Sequence, residues 1–272
     1  MQGENGQLRI SVVTISFNQA RFLRECMDSV LGQDHDDVEY IVVDPGSTDG
    51  SREIIEAYGG RVTPIFEPDA GPADGLNKGF FRASGDVFCY LNSDDTFLPG
   101  AFSAVAAFFE THPNVDVVFG HGRVIDGNGR AWRRLYSDPF SLSAVAYGAC
   151  VTVQPSTFFR AQSFKQVDGF NSKNRSNWDG ELLVDMALAG ARIASVNEFL
   201  SCYRIHHDSI TGTGRLDGAH KEHAMRMFEK IRSRPFRRRD RAYAFAYRLL
   251  KHGRRPRAAM ERLRRGPVYR SA

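Results

Sequence analysis

The sequence predicts an α/β protein: a mostly parallel, Rossmann-like sheet flanked by helices and followed by a C-terminal helical tail. Three observations carry this. Through about residue 125, short β-rich apolar runs alternate with stretches of helical period. Each apolar run gives way to polar or acidic residues, as at the carboxyl edge of a parallel sheet, where ligands bind. Beyond residue 214 the composition changes: 19 Lys/Arg stand against 5 Asp/Glu, whereas the first 214 residues hold 17 against 27.

Taken in order, Ile10 to Ser16 is the first strand. Asn18 is a suitable N-cap for a helix whose apolar pairs are Phe22–Leu23, Cys26–Met27 and Val30–Leu31. Val38 to Val43 is the second strand, and the turn DPGSTDGS leads to a short helix over Arg52 to Tyr58, with Asp49 and Ser51 as its caps. Val62 to Phe66 is the third strand and Ala73 to Ala83 the helix after it. Asp86 to Leu91 is the fourth strand, followed by a helix from Gly100 to Glu110. Val115 to Ile125 is a fifth strand, or two short ones joined at Gly120–Gly122. The tail reads as helical over 217–265, broken by Pro235 and Pro256.

At 272 residues, 42% hydrophobic and 25% charged, the chain is long enough to bury a core and is not compositionally disordered. The start MQGENGQLRI is polar, so no secretory leader is expected. The most apolar window, Leu142 to Val153, is too short to cross a bilayer and contains Tyr147 and Gly148. Cys26, Cys89, Cys150 and Cys202 form no C-x-x-C pair, which argues against structural zinc and for four buried, reduced thiols in a cytosolic protein. The basic tail calls for an anionic partner, a phospholipid surface before nucleic acid.

Four rim positions follow the four strands: Phe17–Asn18, Asp44, Glu67 with Asp69, and Asn92 with Asp94 and Asp95. The last is the most pointed. In FCYLNSDDTFLPG a buried run ends in two adjacent carboxylates, which repel and raise each other's pKa unless something positive sits on them. One helix cap needs only one of the two.

The segments SVVTISFNQARFLRECMDSVLGQ, EYIVVDPGSTDGS, EPDAGPADGLNKGFFRASGD, YLNSDD, SNWDGELLVDMALAG and YRIHHDSIT, in that order, resemble the family 2 glycosyltransferases, which have the nucleotide-sugar-binding GT-A fold. The resemblance covers roughly residues 8 to 212. It implies a GT-A domain over 1–214, with a donor-binding half at about 8–100 and an acceptor half at about 101–214, and a basic helical tail over 215–272. It also implies Mg²⁺ or Mn²⁺, held at a DxD-type motif by Asp95 and Asp94, with His206 as a third ligand beside the ambiguous His207. Hard carboxylate oxygens suit such cations, and a departing diphosphate needs a Lewis acid. Phe17, Asn18, Asp44, Asp69, Asp74, Lys78 and Asp94 are then nucleotide-sugar contacts. Asp179, opening a helix whose dipole keeps it ionised, matches the general base of an inverting transfer.

On the acceptor side the resemblance places Gln154, Trp178 and Glu181, while Asp168–Gly169–Phe170–Asn171 looks like a structural turn. His121 stands where relatives often have Asp and would alter the cleft's charge near neutral pH. Pro45 departs from the family pattern, which leaves a UDP-, dTDP- or GDP-linked donor open. The acceptor implied is a glycan or a lipid-linked glycan of the cell envelope, reached from the cytoplasmic side, with no nucleic acid partner. Two other readings stand beside this one. A degenerate nucleotide-sugar-binding protein is suggested by Pro45 and Gly180. A sugar-nucleotide pyrophosphorylase is disfavoured because SFNQARF lacks a glycine-rich phosphate loop.

Overall fold

The computed structural model describes residues 7–174, 176–206 and 217–266. The expected domain boundary at 214/215, and His207 with the rest of the HDSIT segment, lie outside the described residues. In chain order the elements are β1 (Ile10–Ile15), α1 (Ala20–Leu31), β2 (Val38–Val43), α2 (Ser51–Glu56), β3 (Thr63–Ile65), α3 (Pro72–Phe80), β4 (Val87–Asn92), β5 (Thr96–Phe97), α4 (Ala101–Thr111) and β6 (Val117–Ile125). They continue with β7 (Ala131–Leu135), α5 (Leu142–Ala146), β8 (Thr157–Arg160), α6 (Ala161–Gln166), α7 (Trp178–Leu188), β9 (Ile193–Arg204), α8 (Asp217–Arg232), α9 (Asp240–Arg254) and α10 (Pro256–Arg265).

One sheet runs in the order β3-β2-β1-β4-β8-β6-β9-β5, with β7 added to β6. The first four strands in that order are parallel, as the βα alternation predicts. The sheet then turns mixed. β8 lies antiparallel between β4 and β6, β9 returns parallel to β6, and β5 is antiparallel to β9. β6 is a single strand whose register against β9 slips around Phe119 to Gly122, so the glycine pair marks an irregularity and not a break.

Strand alternation feeds two cores. Val12, Val87, Cys89 and Leu91 face α1 and α4, meeting Leu23, Met27, Phe102 and Phe109. Val13, Phe88 and Tyr90 face the other way, onto Leu76 and Phe80 of α3 and Leu182 and Met186 of α7. Phe80 anchors this second core, with ring centroids 4.9 Å from Phe88 and 5.0 Å from Phe164. α3 reaches the sheet because Gly79 has no side chain: a Cβ there would lie 2.5 Å from Val13 Cγ1.

The entry to α1 differs from the sequence expectation. Asn18 is not the N-cap; it adopts φ 53°, and Gln19 takes the cap position. The first amides of the segment are satisfied from the next loop instead. Ala20 N–H donates to Asp49 Oδ2 (2.9 Å) and Gln19 N–H to Ser51 Oγ (3.2 Å). The Ala20 bond, with those from Ser51, outweighs desolvation and holds the Asp49 carboxyl below its usual range. The thiols also differ in one respect: Cys26, Cys89 and Cys202 are buried, but Cys150 is only half-buried.

After residue 217, α8 docks through buried Met227 and Phe228, and Phe228 packs on Tyr147 just beyond α5 at 5.6 Å. The turn before α9 closes on buried Asp240, which accepts two bonds from Arg234 (2.7 Å each) and one from Arg237 N–H. Arg234 keeps this carboxyl well below the ordinary range. No helix among the described residues is long and apolar enough to cross a membrane.

Gly79→Ala should destabilise the protein by about 1–3 kcal/mol, because buried, β-branched Val13 cannot yield to the new methyl group. Urea denaturation measures this, and an unchanged midpoint would mean that α3 does not need that close approach.

Candidate active site

The two carboxylates that end β4 are held in a tight turn. Asp95 N–H donates to Asn92 O (3.0 Å), and the chain re-enters the sheet at once as β5. Pairing of β5 with β9 brings Arg204 alongside. Arg204 is itself 2% exposed and fixes the turn's backbone. Its N–H donates to Asp95 Oδ1 (2.8 Å), Nε to Asp94 O (2.7 Å), Nη1 to Asp126 O (3.2 Å) and Nη2 to Glu25 Oε2 (2.7 Å). The guanidinium also lies 4.9 Å from the Phe22 ring centroid.

Arg204 therefore supplies part of the positive charge the acidic pair demands, but its side chain bonds to neither carboxylate. Asp95 is 1% exposed, and its Oδ2 is buried without a well-formed hydrogen bond. Burial first, and the charge of Asp94 second, push the Asp95 carboxyl well above its ordinary value; the Arg204 amide and nearby Asn92 only temper this. His206 Nε2 sits 3.2 Å from Asp94 Oδ2, its ring against Phe22. Two carboxylates and an imidazole are donors that Mg²⁺ or Mn²⁺ accepts, and an orphaned buried oxygen is what a cation would satisfy. Among the described residues no cluster of three or more His, Cys, Asp or Glu forms a ready-made metal cage. A cation here would thus need ligands beyond Asp94, Asp95 and His206.

Next along the rim, the buried Asp44 carboxylate organises the loop after β2. Oδ1 accepts from Gly46 N–H (3.0 Å), Ser47 N–H (2.7 Å) and Arg52 Nε (3.3 Å). Pro45 fits this turn because its missing N–H is not among the donors used. Asp44 Oδ2 is buried and unbonded. Phe17 is 59% exposed beside this loop, and Asn18 crosslinks it, its Oδ1 accepting from Thr48 N–H (2.9 Å).

Asp69 lies close enough to Asp44 and Asp74 to feel both charges, which add to burial in raising its pKa. Gly75 makes room for it, since a Cβ there would stand 2.7 Å from Asp69 Oδ2. Lys78 is occupied locally, pairing with Asp74 Oδ2 (3.2 Å) and Pro68 O. Asn77, not singled out in the sequence, clamps the Asp168–Asn171 turn to α3 through both Phe170 N–H (2.9 Å) and Phe170 O (2.8 Å).

The acceptor-side residues divide. Asp179, at the start of α7, lines a narrow crevice with Tyr90, Thr152, Gln154 and Leu182. Burial, then the charges of Asp179 and Asp95, push the Tyr90 hydroxyl well above its ordinary value, so Tyr90 feels both acids. Gln154 is pinned beside the acidic turn, donating to Tyr90 O (3.3 Å) and accepting from Asn92 Nδ2 (3.1 Å). Trp178 packs on Tyr90 and Phe170 at 5.2 and 5.3 Å.

Glu181 is turned elsewhere. It is buried and bonded to Asn171, Asn174, Arg226 and Lys230, tying α7 to α8. Those donors overcome desolvation and hold its carboxyl below the usual range. His121 is likewise a core residue. It is 1% exposed between Tyr136 and Phe199, and burial lowers its pKa, so it adds no charge to a cleft near neutral pH. Gly180 has a packing reason: a Cβ would meet Asn177 Nδ2 at 2.7 Å.

A family model described as Glycosyl transferase family 2 matches residues 11–168. An uncharacterized glycosyltransferase of Nostoc sp. is 30% identical over 211 residues, covering 73% of this chain and 65% of that protein. Chondroitin synthase of Pasteurella multocida is 26% identical over 218 residues, 79% of this chain and 22% of that protein. The chain thus spans less than two thirds of either relative's length. Two solved structures share the fold. S. aureus TarS 1-349 in complex with UDP-GlcNAc gives a TM-score of 0.69 at 20% identity, covering 94% of this chain and 74% of that one. Mannosyltransferase PcManGT from Pyrobaculum calidifontis, in complex with GDP-Man and Mn²⁺, gives 0.65 at 18% identity, covering 96% and 77%.

In the metal-free protein Asp95 binds its proton more tightly folded than unfolded, so its contribution to stability falls as pH rises from the ordinary carboxylate range through the raised folded value. Asp95→Asn should flatten that fall and raise Tm at neutral pH by about 2–4 °C, the shift that roughly 1 kcal/mol gives in a domain of this size. Calorimetry in EDTA from about pH 4 to pH 8 measures both. A lower Tm for the Asn variant would mean that the carboxylate is already satisfied.

Proposed function

The chain belongs to glycosyl transferase family 2, and we propose that it is an inverting, divalent-metal-dependent transferase. It moves a sugar from a nucleotide-sugar to a hydroxyl of a glycan or lipid-linked acceptor in cell-envelope or exopolysaccharide synthesis. The observation that carries the reading is the buried, unbonded Asp95 Oδ2 beside Asp94, at the carboxyl edge of the parallel strands. The ligands in the related folds, UDP-GlcNAc in one and GDP-Man with Mn²⁺ in the other, support a nucleotide-sugar donor and a metal. They differ in base, so UDP-, dTDP- and GDP-linked donors all remain to be tested here. Chondroitin synthase among the relatives supports polysaccharide synthesis.

In this reading Asp95, Asp94 and His206 hold Mg²⁺ or Mn²⁺, which supplies positive charge to the departing diphosphate. Phe17 offers its exposed ring to the base, and Asp44 Oδ2 accepts from a base N–H. Asn18 and Asp49 keep the loops between them in register. Asp69 and Asp74 face donor hydroxyls, with Lys78 neutralising Asp74. Asp179 takes the proton of the attacking hydroxyl, opposite the leaving group, so the anomeric centre inverts. Its place at a helix start favours the ionised form that a base requires. Gln154 lines the acceptor crevice and Trp178 packs behind its wall on Tyr90, whereas Glu181 acts as a brace between helices. A nucleotide-sugar donor supports a cytoplasmic location.

Release of nucleoside diphosphate from UDP-, GDP- and dTDP-sugars, with Mn²⁺, Mg²⁺ or EDTA, tests the proposal. Slow, metal-dependent hydrolysis of one donor is expected, lost in Asp95→Ala. Asp179→Asn should bind that donor normally and turn it over about 10²-fold more slowly or worse. Metal-dependent nucleotide binding without turnover of any donor would favour a binding protein. No nucleotide binding at all would reduce Asp94–Asp95 to a turn.

A further inference from the structure

α9 is amphipathic in the wrong sense for a helix lying on a domain. Tyr243, Phe245, Leu249 and Leu250 are 56%, 65%, 57% and 52% exposed. At 100° per residue, these four with Ala242 and Ala246 share one arc of about 160°. The opposite arc meets the protein through Ala244 and Tyr247, packed on the small core of Tyr147 and Phe228, and through polar groups. Asp240 is buried in the Arg234 clamp, and Lys251 pairs with Asp138 at 2.8 Å. Tyr247 stacks on Tyr147, with ring centroids 5.1 Å apart. A surface helix ordinarily buries its apolar arc; here the helix is pinned by a mixed side, with Tyr243 at the arc's edge also stacked on Tyr147 at 5.8 Å, and Phe245, Leu249 and Leu250 face out. α10 repeats the pattern. Glu261 is turned inward, accepting from Arg134 N–H and pairing with Arg265, while Met260 and Leu263 are 49% and 85% exposed.

We propose that the outward faces of α9 and α10 dock on an anionic lipid bilayer. Charge decides the occupant. Arg241 and Arg248 are exposed along one flank of the α9 arc, and Arg257, Arg262 and Arg264 are exposed on α10. A second copy of this chain would bring the same arginines onto themselves. A leaflet of acidic phospholipids offers an apolar layer for Phe245, Leu249 and Leu263 and phosphates for the guanidinium groups above it. The inference does not rest on the transfer reaction, because binding to vesicles reads the surface alone.

The test is co-sedimentation of the full chain with vesicles of phosphatidylcholine, with and without phosphatidylglycerol, at low and high salt. Binding is expected only to the phosphatidylglycerol vesicles and should weaken with salt. Phe245→Ser with Leu249→Ser should lower the partition coefficient by roughly tenfold or more. Arg241→Gln with Arg248→Gln should also weaken binding, but only at low salt. Circular dichroism melting and donor hydrolysis should be unchanged in both variants, since these side chains contact solvent. Equal binding to neutral vesicles, or undiminished binding by both variants, would overturn the proposal. So would a concentration-dependent dimer in sedimentation velocity that the Phe245→Ser/Leu249→Ser variant abolishes, which would assign the face to self-association.

Discussion

The structure turns on one electrostatic constraint: two adjacent carboxylates at the end of a buried strand, with Asp95 sealed from solvent and one of its oxygens unbonded. A buried carboxylate without a partner is costly, so it must be protonated or be met by a cation. Much of the second half of the fold serves to hold this arrangement. β5 exists as two residues because β9 pairs with it, and that pairing delivers Arg204 to the backbone of the turn. Arg204 in turn ties down Glu25 of α1 and the Asp126 carbonyl. The side-chain hydrogen bonds of Arg204 go to carbonyls and Glu25, which leaves Asp95 Oδ2 unbonded.

The same logic separates acids with an unbonded buried oxygen from those already satisfied. Asp44 and Asp95 each keep one buried oxygen unbonded. Glu181 and Asp240 are acids of the same chemical type, yet their oxygens are met by arginine, lysine, asparagine or backbone donors, and their carboxyls stay low. The second kind marks assembly. Glu181 joins α7 to α8, and Asp240 closes the turn that presents α9.

The parallel half of the sheet was legible because its strands are buried on both faces and read as continuous apolar runs, VEYIVV and VFCYL among them. The acidic rim followed from that reading. β8 and β9 were not legible. TFFR is four residues long, and β9 is buried regularly only in its last third, so neither carries a clean period. With β9 missed, Arg204 had no visible role, although an arginine two residues before His206 was a usable signal. The surroundings of Glu181 and His121 are not legible for a related reason: their partners, Arg226, Lys230, Tyr136 and Phe199, come from elements whose contacts no local pattern announces. Asn18 looked like a cap by residue type, but the capping was done from the following loop by Asp49 and Ser51.

The most direct test of the central claim is a Mn²⁺ titration followed by electron paramagnetic resonance, with and without a nucleoside diphosphate. Weak binding of Mn²⁺ alone is expected, because Asp94, Asp95 and His206 make an incomplete set among the described residues, and much tighter binding once diphosphate oxygens add to it. Both should disappear in Asp95→Ala. Mn²⁺ binding that is indifferent to diphosphate, or that survives loss of the Asp95 carboxylate, would contradict it.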